Sequence, residues 1–187
     1  LHIMISELEN AIIKNQHDFH PVIKFDPAAD KLFPFNFTSS NSELSADTIA
    51  DTNLFGEYID NTLKKAGARC GIGGYREYRT LYNRSMLFAG EEARSVHLGM
   101  DIWGPAGTPV YAALGGMVHS FAFNDHFGDY GATIVLLHQL ETVAFHTLYG
   151  HLSLADISKL SEGAYITRGE VIGHFGKPEE NGNWPPH

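Results

Sequence analysis

Apolar positions recur at helical spacing in the first half of the chain and crowd into short β-type runs in the second. Leu54, Phe55, Tyr58, Ile59 and Leu63 form one stripe, which predicts a helix over 52–66. Gly67 is placed to end it, because glycine enters the left-handed conformation without a Cβ penalty. Ser6-Glu7-Leu8-Glu9 reads as a capping box, the hydroxyl serving the Glu9 amide while the Glu9 carboxylate reaches back, so a short helix is expected over 7–15. Between these helices stand Pro21, Pro27 and Pro34 and the polar run Ser39-Ser40-Asn41-Ser42. They predict loop with brief extended pieces at 22–25 and 33–37. Gly71 to Gly74 then mark a turn into 75–88.

From residue 95 onward, β-rich runs are separated by glycine or polar turns, at 109–113, 116–123, 131–138, 142–149 and 170–175. Gln139-Leu140-Glu141 is the expected hairpin connection between the third and fourth runs. Ser153 is placed to cap a short helix over 154–160. The expected fold is mainly β (α+β overall): an antiparallel, sandwich-like β-sheet domain over 91–187 behind a short-helix N-terminal extension over 1–90.

Charge narrows the partners. Lys and Arg total 13 against 22 Asp and Glu, a formal net charge of −9. Nucleic acid is an improbable partner on that balance, since phosphate binding draws its affinity from Lys and Arg. Docking on an anionic membrane is disfavoured on the same ground. No apolar run reaches the roughly 20 residues of a spanning helix. No secretory leader is legible at the start, which points to the cytoplasm; export to the cell envelope with a leader removed is the other expectation. Cys70 is the single cysteine, which excludes an intrachain disulfide and a four-cysteine zinc site.

Histidine is the anomaly. There are 11 in the chain, and most fall in the second half, a pattern that points to metal or acid–base chemistry. In His97-Leu98-Gly99-Met100-Asp101 the glycine argues against a helix, whereas an extended strand would put His97 and Asp101 on one face with Gly99 leaving space between them. Imidazole and carboxylate so placed suit zinc, and the bland alternative is a polar surface face. His138 and His146 fall near the ends of the expected hairpin, and His119, His126 and His174 read as exposed. Arg76, Arg79 and Arg84 read as a solvated basic face.

The surroundings of that pair extend the pattern. After it come Ile102-Trp103-Gly104-Pro105-Ala106-Gly107-Thr108-Pro109-Val110-Tyr111-Ala112 and Gly115-Gly116-Met117-Val118, then Tyr149-Gly150-His151 and finally Trp184-Pro185-Pro186-His187. In that order and spacing, residues 95–187 resemble the lysostaphin/LytM-like zinc endopeptidases, which cut peptide bridges of bacterial peptidoglycan. The resemblance implies His97 and Asp101 as zinc ligands, and His151 and His187 as catalytic residues beside the metal. It also implies a third ligand two residues after His187, so the chain is expected to be cut short within its final His-x-His motif.

The implied chemistry is hydrolysis of a peptide bond, in peptidoglycan or a short peptide, by a zinc-activated water. Which histidine is the general base stays open. The alternative is a binding or scaffold module of the same fold with a degenerate metal site, possibly within a larger intracellular protein. A cupin-like barrel would need an early His-x-His followed by Glu, and none occurs. Residues 1–90 stay open between an inhibitory segment, a targeting domain and plain packing; oligomeric state is not legible.

Overall fold

The computed structural model describes residues 6–79 and 96–187. In chain order its elements are α1 (Glu7–Asn15), a 3-10 turn (Gln16–Asp18), β1 (Leu32–Pro34), α2 (Ala46–Ala50), α3 (Thr52–Ala66), β2 (Cys70–Ile72) and β3 (Glu77–Tyr78). Then follow β4 (Val96–His97), β5 (Ile102–Trp103), β6 (Pro109–Tyr111), β7 (Gly116–Asn124), β8 (Gly131–Leu140) and β9 (Val143–Leu152). The last are α4 (Leu154–Ile157), β10 (Tyr165–Ile166) and β11 (Val171–His174). The mainly β reading holds, with the sheets largely antiparallel.

Local chemistry sets the helix ends. The Glu9 amide donates to Ser6 Oγ at 3.2 Å and the Ser6 amide to Glu9 Oε2 at 2.7 Å, which completes the capping box. Asp51 caps α3 by accepting from the amides of Asn53 and Leu54, and Gly67 closes it at φ +59. The helix buries Phe55, Ile59 and Leu63, one face of the stripe. The helix after Ser153 is shorter than expected, ending at Ile157, and Ser153 donates its hydroxyl to Glu180 Oε1 instead of capping.

The antiparallel meander β7–β8–β9, with β10 on its outer edge, is the main sheet. Its central strand β8 buries Ala132, Ile134 and Leu136, consistent with its unbroken apolar run. The hairpin connection is Glu141-Thr142 and begins two residues later than expected: Leu140 pairs with Val143, and Glu141 turns the chain at φ +54. His138 lies near the end of this hairpin and bonds across it to β9. It is buried, with Nδ1 donating to the Gly115 carbonyl at 2.9 Å and Nε2 accepting from Thr147 Oγ1 at 2.7 Å.

A second core lies apart from the first. Phe35, Phe37, Phe55, Ile59 and Leu63 enclose Trp103, joined by Trp184. Sequence periodicity did not foresee the small sheet that frames it. In that sheet β1 runs parallel to β2, and β2 antiparallel to β5, so Gly71 stands opposite both Phe33 and Trp103. Gly71 is required there: a Cβ would meet the Phe35 ring. Part of the expected run 75–88, and Arg84 with it, lies outside the described residues.

Candidate active site

His97 ends β4, whose partner strand β3 pairs Glu77 with it. The chain then leaves the strand and re-enters β5 at Ile102, so Asp101 reaches His97 across an irregular turn and not along one extended strand. The two side chains still meet: His97 Nε2 lies 3.1 Å from Asp101 Oδ1. Gly99 serves as expected, since a Cβ at that position would stand 3.1 Å from His97 Nε2 and crowd the space in front of it.

The tautomer is fixed by the other ring nitrogen. His97 Nδ1 lies 3.1 Å from the Gly74 carbonyl, which can only accept, so Nδ1 donates. In the neutral ring, Nε2 then presents a lone pair to a carboxylate oxygen. Two acceptors hold that separation only with a proton or a cation between them. Two ligands on one edge of a zinc tetrahedron, each about 2.0–2.1 Å from the metal, would stand about 3.3 Å apart, so the pair fits such an ion. Among the described residues, no three His, Cys, Asp or Glu side chains converge into a fuller ligand set.

His151 is placed by a bulge. Ala132 pairs with Leu152 and Ile134 with Tyr149, so Thr133 alone stands opposite both Gly150 and His151. His151 takes φ +58, a left-handed backbone uncommon for a non-glycine residue and frequent at functional sites. Its amide donates to the Tyr130 carbonyl at 2.7 Å, and its carbonyl accepts from Gly176 at 2.9 Å. Its Nδ1 donates to the Asn181 carbonyl at 2.8 Å, which leaves Nε2 as an acceptor. His187 repeats the device, Nδ1 donating to the Pro185 carbonyl at 2.8 Å. The two imidazoles stack with centroids 4.1 Å apart, and Trp103 stacks on the far side of His187, also at 4.1 Å.

All four residues line one cavity of about 1080 Å³. Leu98, Met100, Tyr130 and Leu148 line it with exposed side chains, an apolar rim around a polar floor. Burial pushes His187 down to about 3, and the neighbouring charge of His151 adds to that. Burial also lowers His151, against the opposing pull of the Asn181 carbonyl, Asp101 and Asp129. Burial would raise Asp101, but its contacts with the His97 ring and the Arg79 guanidinium outweigh it and hold the carboxyl below its usual range.

These shifts carry a stability consequence. Both histidines are neutral when folded but protonate in the unfolded chain near pH 6.5, so acid favours unfolding. Metal-free protein is expected to lose about 1.4 kcal/mol per pH unit through His187 as pH falls from about 6.5 towards about 3, and His151 adds to the loss in the same direction. Asp101 adds to the loss only below about pH 4, where the unfolded carboxylate protonates. Urea midpoints at pH 7, 6 and 5 with chelator present check this; a slope unchanged in His187→Gln would contradict it.

Arg79 was missed by sequence reasoning. It is 6% exposed, not part of a solvated face. Its Nη1 donates to Asp101 Oδ2, and its Nε donates to Glu77 Oε2 at 2.7 Å. The only available signal was the Glu77-x-Arg79 spacing, which places both side chains on one strand face. Among the described residues of the N-terminal half, this guanidinium reaches Asp101, the backbone of Gly73 and Gly74 reaches Asp101 and His97, and the Arg76 amide donates to the His97 carbonyl at 2.7 Å.

Comparison with known proteins adds one family. Residues 95–187 match the family model described as Peptidase family M23. No curated protein matches the chain. Among solved structures, Helicobacter pylori Csd3, in its orthorhombic crystal, is similar at 22% identity and a TM-score of 0.37. That match covers 50% of this chain and 26% of Csd3, so the chain spans about a quarter of that protein.

Proposed function

Because residues 95–187 form a domain of peptidase family M23, we propose that this protein is a zinc-dependent endopeptidase acting on peptide bonds of peptidoglycan cross-bridges or stem peptides. The carrying observation is the 3.1 Å approach of His97 Nε2 to Asp101 Oδ1, with Nδ1 of that ring already committed to Gly74. His97 and Asp101 hold the metal, and His151 and His187 handle protons beside it. In this reading 91–187 is the catalytic domain and 1–90 an N-terminal extension.

Zinc held by His97 and Asp101 would supply Lewis acidity, to polarise a scissile carbonyl and to acidify water near neutral pH. The remaining steps belong to the chain. A neutral histidine whose Nδ1–H is held by a carbonyl offers Nε2 as proton acceptor, and both His151 and His187 are so held. Both are neutral at pH 7, the form that accepts a proton, while burial weakens each as a base. Once protonated, the same Nε2–H can donate to the developing oxyanion or pass its proton to the leaving amine. The apolar rim of Leu98, Met100, Tyr130 and Leu148 suits an extended peptide laid across the floor.

One observation favours a second reading, a binding module with a degenerate site: among the described residues no three side chains converge as metal ligands. Among those residues, no helix is long and apolar enough to cross a membrane. Elemental analysis separates the readings. The protein should carry about one zinc, lost in Asp101→Ala, and should cleave peptidoglycan peptides. A protein that takes up no zinc overturns the peptidase reading in favour of the binding module.

A further inference from the structure

Asp101 has both carboxylate oxygens engaged, and by different partners. Oδ1 faces His97 Nε2, while Oδ2 accepts from Arg79 Nη1. Arg79 is itself gripped: Nε donates to Glu77 Oε2 at 2.7 Å, and Glu77 Oε1 accepts from the Phe37 amide at 2.9 Å. The guanidinium lies over the Phe37 ring, its carbon 5.3 Å from the centroid. Gly73 completes the cradle. A Cβ there would stand 2.6 Å from Arg79 Nη2 and 3.3 Å from Asp101 Cβ, while the Gly73 amide donates to the Asp101 carbonyl at 2.8 Å.

We propose that Arg79, held by Glu77, is a positioning residue that ties down Oδ2 of Asp101 so that Oδ1 alone is offered to a metal ion beside His97 Nε2. The proposal rests on the reading of His97 and Asp101 as metal ligands. A carboxylate free to rotate can bind in several ways. One with an oxygen pinned by a charge-assisted bond has a single way left, and ligating carboxylates are commonly anchored by such outer partners. The arrangement calls for arginine. Its planar fork spans two carboxylates with two different nitrogens, whereas a lysine ammonium is one point charge on a flexible stem. The relay also explains what the N-terminal half contributes. Phe37, Gly73, Glu77 and Arg79 all precede the family-matched region, yet they set the orientation of its Asp101.

Metal affinity tests the assignment without needing substrate. Zinc affinity would be measured by competition with a chromogenic chelator, and ligand geometry by the visible absorption of the cobalt-substituted protein. Near-UV circular dichroism of each variant serves as a check on folding. Arg79→Gln is expected to weaken zinc binding about 10–100-fold and to alter the cobalt spectrum. Arg79→Lys should recover only part of the loss. Glu77→Gln leaves Arg79 in place but loosens it, and should shift affinity in the same direction by less, which covers the case in which Arg79→Gln does not fold. Wild-type affinity and cobalt spectrum in folded Arg79→Gln or in Glu77→Gln, with binding abolished by Asp101→Ala, would overturn the positioning role alone. Binding that survives Asp101→Ala would overturn the ligand reading and this proposal with it.

Discussion

Replacing His151 with Asn should lower kcat for peptide hydrolysis by about 10²–10⁴-fold while leaving the metal content and KM nearly unchanged. The size follows from the role. His151 Nδ1 is committed to the Asn181 carbonyl, so Nε2 is the only atom of this side chain able to take a proton from water at the cavity floor. Asparagine is the better probe than alanine because it tolerates the left-handed backbone, here φ +58, and so separates lost chemistry from released strain. His187→Asn should fall in the same range if the two histidines share the proton work. Retention of more than about a tenth of wild-type kcat in His151→Asn would remove this residue from the proposed mechanism.

Trp103→Ala should destabilise the protein by about 3–5 kcal/mol, the usual range for deleting a fully buried large aromatic. Trp103 is 1% exposed. Its ring packs edge-on against Phe37 at 5.3 Å and Phe55 at 5.6 Å, and flat against His187 at 4.1 Å. Removing the indole therefore empties the second core and deprives His187 of the surface that fixes its ring plane. For a chain of this length, a loss of that size lowers Tm by roughly 6–20 °C. Trp103→Phe should restore most of the stability. Urea denaturation gives both values, and a loss under 1 kcal/mol would show that the core collapses around the gap.

The parts legible in the sequence were those written in local chemistry. Ser6 with Glu9, the stripe from Leu54 to Leu63, and Gly67 each specify a helix end or face through contacts within a turn or two. The meander was legible because its strands are long and pair with their sequence neighbours. The His97 and Asp101 side chains do meet, though the expected strand between them is a turn; glycine at 99 is compatible with either path. Arg79 was illegible for a physical reason. An arginine reads as solvated unless its counter-charges are known, and Asp101, 22 residues away, becomes its partner only through tertiary structure. The parallel pairing of β1 with β2 was hidden likewise, since it joins three-residue strands across two helices.

The second core has a consequence for how the protein is made. Phe35, Phe37, Phe55, Ile59 and Leu63 emerge from the ribosome early, yet Trp103 and Trp184, which cover them, are translated much later. At about 5–20 residues per second, the apolar face of α3 waits several seconds for its lid. During that interval it is a sticky surface with no native partner, so the nascent chain is a natural client for a holding chaperone. Slower translation between α3 and Trp184 would lengthen the exposure, and yield in the cell should fall with it, without any change in the stability of the finished fold.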